Sequence, residues 1–417
     1  MSTAETTAAQ PADARRTPSP NTGAEIRLEG LTKRYPGQKE PAVDALDLTI
    51  PAGQTVMFVG PSGCGKTTSL KMINRLVEPS GGRILIDGED ITHKNPTRLR
   101  RHIGYVIQGG GMMPHMSVAE NIGLVPGLLK WDSARTRERV DELLDMVGLD
   151  PSVYRDRYPR ELSGGQQQRV GVARGLAADP PVLLMDEPFG AVDPITRQRL
   201  QDEMLDIQDR LHKTIVMVTH DVDEALKLGD RILILEPGAR IAQYDTPEAI
   251  LTAPANDFVA DFVGSGAMLK RLSLVRVGDL RLDQPPTCRV GESAEQVCAR
   301  VEEAGADAVV VLDERGRPLD WVFLRQLRGV AAVQRPRLEA TSVVDHRSTL
   351  HDALDAILTS SHSGAMVTRQ GQYIGVIQYD TVTEHTTAWT AQARAAEIDT
   401  LDVEAPGAGP SRAGEGR

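Results

Sequence analysis

The chain has 417 residues, 40% of them apolar and 25% charged, with a formal net charge of -11. That length exceeds one ordinary core, so two or three domains are expected, and the composition is that of a soluble globular protein. The acidic balance argues against nucleic acid as the main partner, because phosphate is repelled. No apolar run reaches bilayer-spanning length, and no secretory signal is expected at the N-terminus. Cys64, Cys288 and Cys298 lack metal-ligand spacing and point to a reducing compartment.

Residues 1–23 are rich in Ala, Thr, Pro and Ser and are expected to form a disordered tail. From 24 to about 265 the pattern is α/β. The runs "TVMFVG", "VLLMDE" and "TIVMVTH" read as buried strands of a mostly parallel sheet, with helical patterns between them. "GPSGCGKTT" follows the first of these strands and precedes the helix-like "SLKMINRL", which is the context GxxxxGK[ST] requires for phosphate binding. The residues are Gly60, Pro61, Ser62, Gly63, Cys64, Gly65, Lys66, Thr67 and Thr68. Backbone N–H groups of such a loop close around phosphate, Lys66 reaches the β- and γ-phosphates, and Thr67 is a ligand for Mg²⁺.

Further on, "VIQGGGMMPHMSV" carries Gly109, Gly110 and Gly111, which either cradle phosphate, meet a partner or turn a corner. In "DSARTRERVDELLDMVGL", Val140, Leu143, Leu144 and Val147 share one helical face, with Asp132 or Ser133 as cap and Gly148 as terminator. "LSGGQQQRV" places Ser163 as an N-cap followed by Gly164 and Gly165, an anion-binding helix start or simply a capped helix. "VLLMDEP" ends in two carboxylates: Asp186 suits a Mg²⁺ shell and Glu187 can polarise a water for attack on a γ-phosphate. His220 closes "TIVMVTH", at the strand edge where open α/β sheets hold ligands; a plain surface histidine is the alternative.

Near "VGSGAM" the composition changes, which marks a domain boundary. Residues 268–391 look like an imperfect repeat, each half a β-α-β-β-α unit, and 392–417 read as a second tail.

Taken together, the glycine loop, "LSGGQ", "LLMDEP", "AVD" and "VTHD" resemble the ATP-binding subunits of ABC transporters over about 24–264. The resemblance implies a P-loop α/β ATPase with a helical subdomain at about 109–172, binding ATP and Mg²⁺. It implies a homodimer whose sites take Lys66, Thr67, Gln108, Asp186, Glu187 and His220 from one subunit. Ser163, Gly164, Gly165 and Gln166 would come from the other. Gln108 would join Thr67 and Asp186 on the metal, Tyr35 would stack on adenine, and Asp193 would lie in the loop along the dimer seam. The three glycines then read as a hinge. Met112, Met113, Pro114 and His115 fall where the family docks a membrane permease, and adaptable methionines suit such a surface.

A single cassette without spanning segments favours an importer working with a separate permease and, indirectly, a substrate-binding protein, at the cytoplasmic face of the membrane. "IGYVIQGGGMMPHMSVAENIGLVPGLLKW" and "APANDFVADFVGSG" look like importers of quaternary-amine osmoprotectants such as glycine betaine, carnitine and choline. An importer of another small solute or an ATP-dependent switch are the alternatives. The repeat resembles a pair of CBS motifs, an α+β module. Its second copy keeps Asp380 as a possible ligand residue but has Gln378 where a hydroxyl is usual, and the first copy lacks the Asp. Dimerisation, ionic-strength sensing and cyclic-dinucleotide binding are all compatible, with regulation by one of the last two expected.

Overall fold

A computed structural model describes residues 23–109, 111–190, 192–264, 266–336, 342–360, 362–387 and 389. The expected tails before 23 and beyond 391, and Gly110 in the glycine run, lie outside the described residues. Gly23 does not belong to a tail: its N–H donates to His212 O at 2.9 Å. The chain divides into two units, one running to Pro247 and resuming over Ala255–Phe262, the other made of Glu248–Pro254 and everything from Val263. The boundary read at the Gly/Ser break thus omits one excursion, Glu248–Pro254, which packs with the second unit.

The first unit opens with β1 (Ile26–Lys33), β2 (Val43–Ile50), β3 (Thr55–Val59), helix α1 (Lys66–Ile73), β4 (Gly81–Ile86), β5 (Glu89–Asp90), α2 (Pro96–Arg100) and β6 (Ile103–Val106). Helices α3 (Val118–Leu128), α4 (Ser133–Met146), α5 (Pro151–Tyr154) and α6 (Gly164–Leu176) follow as a helical block. Then come β7 (Val182–Asp186), α7 (Pro194–Leu211), β8 (Thr214–Val218), α8 (Val222–Leu228), β9 (Arg231–Glu236) and β10 (Arg240–Asp245).

One sheet is antiparallel, in the order β2-β1-β4-β5, and the other has the order β10-β9-β3-β8-β7-β6. In the larger sheet β9, β3, β8, β7 and β6 pair in parallel, and only β10 is antiparallel. The sequence explains the difference. Strands β3 and β8 are apolar at nearly every position and buried throughout, as strands covered on both faces must be. Strand β2 instead alternates buried and exposed residues, which suits a sheet with one wet face. A single apolar core joins the sheets, with Ile26, Leu28 and Ile84 packed in the same cluster as Phe58, Leu184 and Val218.

The helical block is punctuated as its sequence indicates. Asp132 is the cap of α4, Val140, Leu143 and Leu144 are buried, and Gly148 takes φ 67° just past the end. Ser117 and Glu120 form a reciprocal capping box on α3. Fully buried Asn121 on α3 accepts from Met113 N at 2.8 Å and donates to Met113 O, Met116 O and Ser117 O. One amide thus fastens the whole Met113–Ser117 segment to the helix.

The second unit contains α9 (Pro247–Thr252) over most of its length; α10 (Asp257–Val263) lies largely in the first, and α11 (Ala267–Leu272) in the second. A β-α-β-β-α half follows: β11 (Thr287–Arg289), α12 (Ala294–Glu303), β12 (Ala308–Leu312), β13 (Pro318–Phe323) and α13 (Leu324–Leu327). The other half repeats it with β14 (Val343–Asp345), α14 (Leu350–Thr359), β15 (Gly364–Arg369), β16 (Gln372–Gln378) and a helix over 379–387. In each half the first two strands are parallel and the last two antiparallel. Ala308, Val310 and Trp321 of one half share an apolar cluster with Met366 and Val376 of the other.

Removing the Asn121 amide takes the acceptor from the part-buried Met113 N–H and a donor from Met116 O, while Met113 O and Ser117 O keep their backbone partners. Asn121→Ala is expected to cost about 1–3 kcal/mol and to speed amide hydrogen exchange over 112–117 selectively, with α4 and α6 unaffected.

Candidate nucleotide site

Four loops leave the same edge of the parallel sheet, and the site is built from them. After β3 the chain turns through Gly60, Gly63 and Gly65, all at positive φ (147°, 81° and 111°). At Gly65 an added Cβ would stand 2.6 Å from Ala42 O, so both its backbone conformation and its surroundings demand glycine. Helix α1 starts immediately afterwards with no side-chain cap on its first turn. Its leading N–H groups are oriented for an anion. Lys66 is only 7% exposed, and its Nζ donates to Gly60 O at 2.7 Å and Pro61 O at 2.9 Å. The loop is thus folded around its own ammonium, a cation solvated by carbonyls and poised at the helix start.

Thr67 donates its hydroxyl to Asp186 Oδ1 at 2.9 Å, and Lys71 Nζ lies 3.9 Å from Asp186 Oδ2. Asp186 is the last residue of β7. The next residue, Glu187, adopts φ 45°, a left-handed conformation unusual for a side chain of this size. Its N–H donates to Val218 O at 3.0 Å, the end of the neighbouring strand. Its carboxylate accepts from Gln108 Nε2 at 3.3 Å and lies 3.6 Å from His220 Nδ1. Strand β8 ends at Val218, so His220 belongs to the following loop rather than to the strand. Gln108 likewise stands just past β6. Lys66, Thr67, Gln108, Asp186, Glu187 and His220 are therefore linked through the loop edge of one sheet.

Thr67 hydroxyl, Asp186 carboxylate and the Gln108 amide oxygen are hard oxygen donors, the set that a small divalent ion such as Mg²⁺ takes. The hydrogen bond from Thr67 to Asp186 already brings two of them together.

The remaining expected residues lie elsewhere on the unit. Ser163 caps α6, accepting from Gln166 N at 3.3 Å while the Gln166 side chain accepts from Ser163 N at 2.9 Å. Ser163 and Gly164 are exposed. Gly165 is buried, and a Cβ there would stand 2.7 Å from Thr196 Cγ2 on α7. That glycine answers to packing as well as to any ligand. Asp193 caps α7, accepting from Thr196 N at 3.1 Å. Tyr35 is half-buried just beyond β1, with Lys33 Nζ 5.1 Å from its ring centre. Met112 is half-buried, and Met113, Pro114 and His115 are exposed. In the second unit Asp380 is exposed near the start of the 379–387 helix, with the Thr383 hydroxyl donating to its carbonyl.

Sequence reasoning missed Lys71, Asn121 and the pair Thr219–Glu224. Of these, Glu224 leaves a trace in the sequence: it is a carboxylate beside Ala225, Leu226 and Leu228 on the buried side of α8, an anomaly that periodicity exposes.

Comparison with known proteins adds four findings. A family model described as "ABC transporter" matches residues 43–190. The osmoprotectant import ATP-binding protein of Salmonella typhimurium is 46% identical over 366 residues, 86% of this chain and 96% of that protein. The glycine betaine/carnitine/choline transport ATP-binding protein of Bacillus subtilis is 46% identical, over 84% of this chain and 91% of that protein. Among solved structures, one part of an ABC transporter complex of Clostridium perfringens superposes with a TM-score of 0.50 at 28% identity, over 55% of this chain and 90% of that one.

The geometry at Gly65 gives a direct test. Gly65→Ala forces the loop off Ala42, at about 1–3 kcal/mol for the strained backbone. It is expected to weaken binding of a fluorescent ATP analogue by about tenfold or more while the melting temperature falls only slightly.

Proposed function

The chain belongs to the ATP-binding subunits of ABC importers of the glycine betaine, carnitine and choline osmoprotectant type, and on that premise we propose how its residues bind and spend ATP to drive uptake through a separate permease. The observation that carries the proposal is the carboxylate of Glu187, held between Gln108 and His220 one residue beyond Asp186.

ATP enters with its phosphates on the Gly60–Thr68 loop and its adenine on Tyr35. Lys66 exchanges the carbonyls of Gly60 and Pro61 for β- and γ-phosphate oxygens. Thr67, Asp186 and Gln108 would hold Mg²⁺, which would offset phosphate charge. Glu187 accepts a proton from the attacking water as the water's oxygen bonds to the γ-phosphorus and the bond to the β-phosphate oxygen breaks. Gln108 orients that water, and His220 stabilises charge on the departing phosphate. Support for Glu187 as base comes from its position: the left-handed backbone turns its side chain out of the strand line toward both neighbours.

Two copies pair head to tail, so that Ser163, Gly164, Gly165 and Gln166 of one copy close over the γ-phosphate of the other. Exposure of Ser163 and Gly164 at a capped helix start supports this reading. The γ-phosphate is then shared glue, and its loss parts the copies. The segment Met112–His115, clamped by Asn121, docks the permease and passes the movement on. Asp193 lines the seam between the copies. Among the described residues no helix is long and apolar enough to cross a membrane, consistent with a peripheral subunit on the cytoplasmic face. The repeated second unit is a CBS-type regulatory module that responds to ionic strength or a cyclic dinucleotide, with Asp380 as a candidate ligand residue.

Two measurements test the site. Glu187→Gln should cut turnover by about 10²–10⁴-fold with ATP affinity retained, and near-normal hydrolysis would sink the assignment of the base. Mixing Ser163→Arg chains with Lys66→Ala chains creates dimers with one doubly defective and one intact site. Partial recovery of hydrolysis in the mixture supports sharing between copies, whereas loss in simple proportion speaks against it.

A further inference from the structure

The loop that carries His220 is anchored from beneath by a buried carboxylate the mechanism above does not use. Thr219 is 2% exposed and Glu224 6% exposed. The Thr219 hydroxyl donates to Glu224 Oε2 at 2.6 Å and accepts from Asp221 N at 3.1 Å. Thr219 N–H in turn donates to Phe58 O at 3.1 Å, on the strand that leads into the phosphate loop. Asp221 Oδ1 caps α8, accepting from Asp223 N and Glu224 N. His220 therefore sits between two residues that Glu224 and its hydroxyl partner hold in place. The second carboxylate oxygen, Glu224 Oε1, is buried with no hydrogen-bond partner among the described residues.

We propose that Glu224 is a positioning residue of the hydrolytic site: acting through Thr219, it sets the placement of His220. The inference rests on the reading of His220 as the residue that faces the γ-phosphate.

Electrostatics supplies the second half of the argument. Burial pushes the Glu224 carboxyl up from its ordinary value to about 7, and the Asp221 charge adds to this. The Thr219 hydrogen bond, the Arg197 guanidinium and His220 pull it back. Arg197 comes from α7, the helix that Asp193 opens. Between α7 and α8, Lys227 and Asp202 form an ion pair at 2.7 Å. Below about pH 7 Glu224 is neutral; above it the carboxylate is charged. A charged acceptor tightens the bond from Thr219.

The test is steady-state ATP hydrolysis by the full chain in complex with its permease, from pH 5.5 to 9. Glu224→Gln keeps shape and hydrogen bonding but never ionises. KM for ATP is expected to be unchanged. The wild-type to variant ratio of kcat is expected to be near 1 at low pH and to climb to about 3–10-fold above pH 8. A ratio that stays flat across pH, or a change confined to KM, overturns the proposal. Should Glu224→Gln fold poorly, Thr219→Val reads the same link: kcat falls at every pH with KM constant, and Thr219→Ser restores it. Wild-type kinetics in Thr219→Val overturns the proposal as well. His220→Ala, measured alongside, separates the two levels. Full activity there refutes the role of His220 itself, whereas loss there with wild-type behaviour in Glu224→Gln refutes only the role of Glu224.

Discussion

The nucleotide site depends on one constraint: the ends of the parallel strands lie level. Phe58 of β3, Val218 of β8 and Asp186 of β7 are direct neighbours across the sheet, and Met185 is opposite Val106 of β6. Because parallel pairing brings the same end of every strand to one edge, four unrelated stretches of sequence deliver their chemistry to one place. The phosphate loop leaves β3, Gln108 leaves β6, Glu187 leaves β7 and His220 leaves β8. The bond from Glu187 N–H to Val218 O continues the ladder one step past the last regular pair. A slip of one residue in any of these strands would turn its terminal side chain to the other face of the sheet.

Charge is handled differently at the two halves of this edge. Lys66 is nearly buried and rests on neutral carbonyls. Among the described residues no carboxylate forms an ion pair with it, so its charge is not neutralised there. Asp186, by contrast, is already engaged by Thr67 and faced by Lys71. The first is a cation resting on neutral acceptors, the second an anion already met by a donor and a cation. Beneath them, Glu224 and Thr219 hold the His220 loop from the buried side.

Much of this was legible in the sequence, for physical reasons that differ by element. Strands β3, β7 and β8 announce themselves because burial on both faces leaves no room for polar residues. Helix α4 is legible because Asp132 and Gly148 can each do one thing well, cap and terminate. The phosphate loop is legible because few sequences satisfy its backbone. The repeat in the second unit is visible because both halves must solve the same folding problem. What stayed hidden was how particular side chains and segments pack. Nothing local says that Asn121 reaches back eight residues to Met113, or that Thr219 and Glu224 meet in a dry interior. The excursion of Glu248–Pro254 into the second unit is hidden for the same reason, since a boundary drawn from composition sees only the chain and not what it packs on.

The shared apolar cluster of the second unit has a consequence for how the protein is made. Trp321 lies in the earlier half, whereas its cluster partners Met366 and Val376 lie some tens of residues later. During vectorial synthesis the first half therefore leaves the ribosome with the Ala308–Val310–Trp321 face bare. It stays unsealed until β15 and β16 arrive. A pause in translation between the two copies would prolong that interval and offer a sticky surface to other nascent chains, so the twofold design of this unit ties its solubility to the pace of elongation.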